Sequence, residues 1–265
     1  MIEDSYAANY LPHLIAYLKG EQQTPAEKIN PLSIHPLSSS SFDSGPGDNS
    51  DNSQQIAVIS ISGPITKHGQ FCGPAGMQEI SEILEACYDS EDISGILLVV
   101  ESGGGDGMAM RLLNETIAKR NKTMIGFIDD FGCSAAYGLV SGCDMIVVNS
   151  KMARVGSIGT YLSMNDYTKQ LEKAGIDILT VYATASKDKN GEVREALKGN
   201  LKPLEDLANI FNENFLTTIE TNRDGKLTES RDVWGTGKVY FAEEALKLGL
   251  IDNIDTFSNT LNYFT

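Results

Sequence analysis

The spacing of apolar positions changes several times along the chain, and each change marks an element. Over residues 5–19, Tyr6, Tyr10, Leu14 and Leu18 recur at every fourth position with Leu11 and Ile15 beside them. This spacing predicts an amphipathic helix within residues 1–22, whose apolar stripe must be buried on its own domain or on a neighbouring subunit. Residues 23–55 follow, and their later part, 36–55, is dominated by Ser, Gly, Asn and Asp. So few apolar side chains cannot offset the entropy of ordering the backbone, which predicts a flexible linker.

From Ile56 the apolar residues gather into short unbroken runs at Ile56–Ser62, Gly95–Val100, Met124–Ile128 and Met145–Val148. Between them, Met77, Ile80, Ile83, Leu84 and Cys87 recur at helical spacing, as does the stretch Met108–Ile117. Unbroken apolar strands alternating with helices predict an α/β fold with a mainly parallel sheet buried on both faces. Ile178–Tyr182 reads as a further strand, and Leu204, Leu207, Ala208, Phe211 and Phe215 mark a long amphipathic helix that opens a mostly helical C-terminal portion. Residues 56–254 form the predicted domain, with 255–265 as a tail.

Composition narrows the function classes. A chain of 265 residues, 41% of them hydrophobic, is enough for one large domain or two small ones. Its formal charge of −15, with no basic stripe, repels phosphate backbones and argues against nucleic-acid partners. Met1-Ile2-Glu3-Asp4 is acidic where a signal peptide is basic, and no run reaches the roughly 18 apolar residues of a membrane span, so a cytoplasmic location is expected. Cys72, Cys87, Cys133 and Cys143 form no C-x-x-C pair and read as reduced thiols.

In open parallel sheets the chemistry gathers at the carboxyl ends of strands. Two such loops stand out. Glu101-Ser102-Gly103-Gly104-Gly105-Asp106-Gly107 lets backbone N–H groups approach an anion or oxyanion, or it is simply a tight turn. Gly132-Cys133-Ser134-Ala135-Ala136 places a serine among small residues at a strand-to-helix turn, as a nucleophile elbow does, although serine is also a common helix N-cap. Histidine is the usual base for such a serine. Here His13 and His35 are badly placed and His68 is a weak candidate. A lysine serves instead where burial favours its neutral form, and Lys187 follows the expected strand Ile178–Tyr182, where a plain surface lysine is the competing reading.

The order Gly103-Gly104-Gly105, Gly132-Cys133-Ser134-Ala135-Ala136-Tyr137, Val155-Gly156-Ser157-Ile158-Gly159 and Ser186-Lys187-Asp188 resembles the signal peptide peptidase SppA family. The likeness continues through Gly237-Lys238-Val239-Tyr240 to Gly249-Leu250-Ile251-Asp252 and covers about residues 56–254. It implies a ClpP/crotonase-like fold and an ATP-independent serine endopeptidase. In that reading Ser134 is the nucleophile, Lys187 the base, Ser157 its orienting residue, and Gly103 or Gly104 with Ala135 the oxyanion-hole donors. It also implies protein or peptide substrates and a homo-oligomeric ring with active sites near subunit interfaces. No cofactor or metal is expected, since Asp188-Lys189-Asn190-Gly191-Glu192 lacks the later carboxylates of a calcium loop.

Two departures from the family shape the expectation. Glu101-Ser102 stands where many members carry Ser-Pro, which puts a carboxylate near the cleft. The membrane anchor of many members is replaced by the amphipathic helix and polar linker. The first is expected to shift substrate preference; the second favours the soluble branch that acts in phage capsid (prohead) maturation on scaffold or capsid proteins, over a bacterial cytoplasmic peptidase. A catalytically silent peptide-binding ring and an enzyme acting on acyl-CoA thioesters are the alternatives from other classes.

Overall fold

A computed structural model of the protein describes residues 30–36, 54–69 and 73–265. The helix expected over residues 5–19, most of the linker and Cys72 lie outside the described residues. The chain divides into two units: the described residues up to Gly159 together with Phe215–Thr265, and Thr160–Asn214.

The first unit is built on one eight-stranded sheet among the described residues. Its main path runs β1 (Leu32–Pro36), β2 (Gln55–Ser62), β3 (Ile93–Ser102), β4 (Thr123–Cys133), β5 (Met145–Val148) and β8 (Asn253–Ile254). Pairing from β2 through β8 is parallel, as the unbroken apolar runs predict. β6 (Arg154–Gly156) pairs parallel with the far end of β4 and antiparallel with β7 (Val239–Phe241).

Both sheet faces are covered. On one lie α1 (Met77–Asp89), which buries Met77, Ile80, Leu84 and Cys87, and α2 (Gly107–Ile117), which buries Ala109, Met110, Leu113 and Ile117. Asp106 caps α2 by accepting the Met108 N–H at 2.8 Å. The opposite face carries Ile56, Val58, Leu97, Ile125, Phe127 and Val147, against which Phe257, Leu261 and Phe264 pack. Each fully buried aliphatic side chain in these layers contributes about 1.5–3 kcal/mol. The last stretch, read from sequence as a tail, therefore supplies α9 (Phe257–Leu261) and a closing 3₁₀ turn as cover for the sheet. Between β4 and β5 lies α3 (Ala135–Val140), and α7 (Arg231–Trp234) and α8 (Ala242–Lys247) flank β7.

The second unit holds α4 (Thr168–Lys173), a 3₁₀ turn at Thr184–Ser186, α5 (Gly191–Leu197) and the first part of α6 (Lys202–Asn222).

Two expectations need correction. The linker assigned to 23–55 contains β1, which pairs antiparallel with β2; at Leu32–Pro36 backbone pairing to the edge of a buried strand supplies what the side chains lack. Ile178–Tyr182 is not a strand. Its residues pair with no described strand, and Leu179 is 91% and Val181 94% exposed. Strand-like composition needs a neighbouring strand to be realised, and no strand lies within this unit among the described residues.

Candidate active site

β4 outruns its neighbour β5 and continues into pairing with β6, and this extension delivers Ser134. Ser102 pairs with Gly132 on one side of β4, and Gly156 pairs with Cys133 on the other. Ser134, the next residue, is thus flanked by the glycine loop after β3 and by the Gly156-Ser157 turn after β6. Its backbone lies at φ 55°, ψ −126°, a region side-chain-bearing residues avoid at a cost of about 1–3 kcal/mol. Strained backbone of this kind collects at functional turns. The Ser134 N–H donates to the Gly156 carbonyl at 2.7 Å. Although Ser134 sits at the start of α3, its hydroxyl makes no capping bond. That hydroxyl is buried and has no hydrogen-bond partner among the described residues.

The glycine loop is held from outside the β3–β4 pair. Buried Ser102 donates its hydroxyl to the Gly63 carbonyl at 2.6 Å and accepts the Gly104 N–H at 3.1 Å. The Ile65 N–H donates to Gly104 O at 2.9 Å, and the Asp106 N–H donates to Ile65 O at 2.8 Å. Only glycine fits at 105, where a Cβ would lie 2.2 Å from the Ile65 carbonyl oxygen. The consequence for the predicted oxyanion donors is specific. The Gly104 N–H is already engaged by Ser102, whereas those of Gly103 and Ala135 have no acceptor among the described residues.

On the other flank, Ser157 also has a positive φ, 50°, with its N–H donating to Lys238 O at 2.8 Å. The loop end of β3 carries negative charge: burial, then the neighbouring Asp129 and Asp130 carboxylates, raise the Glu101 pKa above the ordinary glutamate range. Asn149 donates to Asp129 Oδ1 at 2.6 Å.

Ser134, Gly103, Gly104, Ala135 and Ser157 thus come together in one unit. Lys187 belongs to the other, where it is exposed at the end of the 3₁₀ turn and its carbonyl accepts the Arg194 guanidinium. Sequence reasoning missed Ser102, whose position between an apolar strand and three glycines was its one signal, and Tyr137, buried on the helix that follows Ser134. Cys87, Cys133 and Cys143 are buried. Among the described residues, no group of three or more His, Cys, Asp or Glu could hold a metal ion, and no helix is long and apolar enough to cross a membrane.

An α/β sheet with flanking helices thus delivers a strained serine beside a glycine loop. The profile of peptidase family S49 matches residues 116–264, more than half of the chain, and the protein belongs to that family, the SppA family. The positions of Ser134, Ser157 and Lys187 lie within the matched span. The protein MJ0651 of Methanocaldococcus jannaschii is 29% identical over 182 residues, covering 68% of this chain and 58% of that one. Capsid assembly protease C of Escherichia phage lambda is 28% identical over 159 residues, covering 55% of this chain and 36% of its own length. The chain therefore spans less than two thirds of each of these relatives. Among solved structures, the membrane-bound stomatin-specific protease 1510-N in complex with a substrate peptide matches with a TM-score of 0.50 at 14% identity, covering 77% of this chain and 76% of that one. This last likeness concerns the fold.

Proposed function

We propose that the protein is an ATP-independent serine endopeptidase in which Ser134 is the nucleophile and Lys187 its base. The observation that carries the reading is Ser134 itself: a strained backbone with a buried hydroxyl that no other group among the described residues engages. Ser134 Oγ attacks the scissile carbonyl while Lys187 takes its proton and Ser157 orients the lysine. The oxyanion is held by the N–H groups of Gly103 and Ala135, Gly104 being committed to Ser102. The proton passes to the leaving amine, and water then releases the acyl group from Ser134.

The working form is a homo-oligomer. Leu162, Ile178, Leu179, Val181 and Leu201 of the second unit are exposed apolar side chains, and burial against another copy is the simplest way to cover them. Lys187 lies in the same unit, so assembly would also dry the surroundings of the base. The relative named as a capsid assembly protease favours scaffold or capsid proteins as substrates, cleaved in the host cytoplasm or the assembling prohead.

Hydrolysis of fluorescein-labelled casein by concentrated wild-type protein, Ser134→Ala and Lys187→Ala tests the dyad. Both variants are expected to lose roughly three orders of magnitude or more. Wild-type turnover by Ser134→Ala would contradict the assignment.

A further inference from the structure

The helix that follows Ser134 cannot set its own direction. α3 has six residues, far below the length at which a helix holds itself together, so its pose comes from tertiary ties. Two are visible. Tyr137, fully buried, donates its hydroxyl to the Leu250 carbonyl at 2.7 Å. Ser141, just past the helix, accepts the Asn222 side-chain amide at 2.9 Å.

Both ties lead to one anchor. Arg223, next to Asn222, is 1% exposed; its Nε and Nη2 donate to the Gly249 carbonyl at 3.1 and 2.7 Å. Its Nη1 and Nη2 also donate to the Asp252 carboxylate at 2.8 and 3.1 Å. Asp252 Oδ2 accepts the Ile146 N–H at 2.7 Å as well, which fastens the turn to β5. Leu250 is therefore held from both sides, by Gly249 and by Asp252, within a turn that is itself locked to the sheet. Ser134 lies one helical turn before Tyr137, and its carbonyl accepts the Gly138 N–H at 3.0 Å.

We infer that Tyr137 is a positioning residue: its bond to Leu250, backed by the Arg223–Asp252 pair, holds α3 so that Ser134 keeps its strained, attack-ready backbone. The strain supplies the reason for such a clamp, because a residue in an unfavoured conformation relaxes unless its surroundings over-determine it. The inference rests on Ser134 being the nucleophile.

The test is the rate at which a fluorophosphonate acylates Ser134, mapped by peptide mass, in wild type, Tyr137→Phe and Tyr88→Phe, with thermal melting measured on each. Tyr88 is the control, since its hydroxyl makes a comparable bond, to Thr116 O at 3.2 Å, between α1 and α2. Tyr137→Phe is expected to label roughly tenfold more slowly, as small displacements of a reacting group do, while Tyr88→Phe labels at the wild-type rate with a similar change in melting. A wild-type rate in Tyr137→Phe, or equal slowing in Tyr88→Phe, overturns the positioning role and leaves the nucleophile assignment intact. Wild-type labelling absent or mapped away from Ser134 removes both. Should Tyr137→Phe not fold, Asn222→Ala cuts the second tie to the same helix and is expected to slow labelling in the same way.

Discussion

The N–H of Ser134 donates to the carbonyl of Gly156, whose own neighbour Ser157 shares the positive φ of Ser134. This one bond couples the two turns at the end of β4 and β6, so the strained serine is fixed by the sheet extension that delivers it.

If the backbone of Ser134 is held against its preference, glycine should relieve it. Ser134→Gly is expected to be more stable than Ser134→Ala by about 1 kcal/mol, because both lack the hydroxyl and only glycine accepts φ 55° freely. Urea denaturation of the two variants decides this, and equal midpoints would show that the turn stores no strain.

The glycine loop should tolerate nothing larger at its closest approach. Gly105→Ala would put a Cβ 2.2 Å from the Ile65 carbonyl oxygen, forcing the loop away from Ile65. Casein hydrolysis is expected to fall at least tenfold, with a stability loss of about 1–3 kcal/mol, the usual range for overpacking.

At Asp252, burial works to raise the pKa, but the bonds from Arg223, the Ile146 N–H and Lys226 together outweigh it and hold the carboxyl below the ordinary aspartate value of 3.8. A depressed pKa contributes stability that is present above the unfolded value and lost as pH falls through the folded one. Asp252→Asn is therefore expected to lose roughly 3–5 kcal/mol at neutral pH, since Arg223 is left buried and unpaired. The gap between variant and wild type should narrow below pH 3.8, as wild-type Asp252 also takes up a proton. Thermal melting across that range measures both.

The unpaired apolar segment predicts an assembly defect. Leu179→Asp, which places a carboxylate at a leucine 91% exposed within one copy, should leave the fold of the single chain intact, as far-UV circular dichroism would show. Light scattering should show the oligomer reduced to smaller species, with casein hydrolysis falling alongside. An unchanged mass would remove this surface from the interface.

The central sheet was legible because strands covered on both faces, such as Leu97 and Val147, carry unbroken apolar runs that no other element explains. Short or edge strands were not: Arg154–Gly156 and Val239–Phe241 have three residues each, and Leu32–Pro36 mixes polar residues into a polar stretch. Ile178–Tyr182 misled in the opposite sense, since its side chains favour a strand while pairing depends on a neighbour that sequence does not reveal. The position of Ser134 at a strand-to-helix turn could be read from its small neighbours. The engagement of the Gly104 N–H by Ser102 could not, because it depends on a side chain folding back across the loop.

The most direct test of the account is reaction of the assembled wild-type protein with diisopropyl fluorophosphate, followed by peptide mapping, beside Lys187→Ala. A single adduct on the peptide bearing Ser134, formed far more slowly in Lys187→Ala, is the predicted result. An adduct on another serine, or equal labelling of Ser134 without Lys187, would contradict the Ser134–Lys187 assignment.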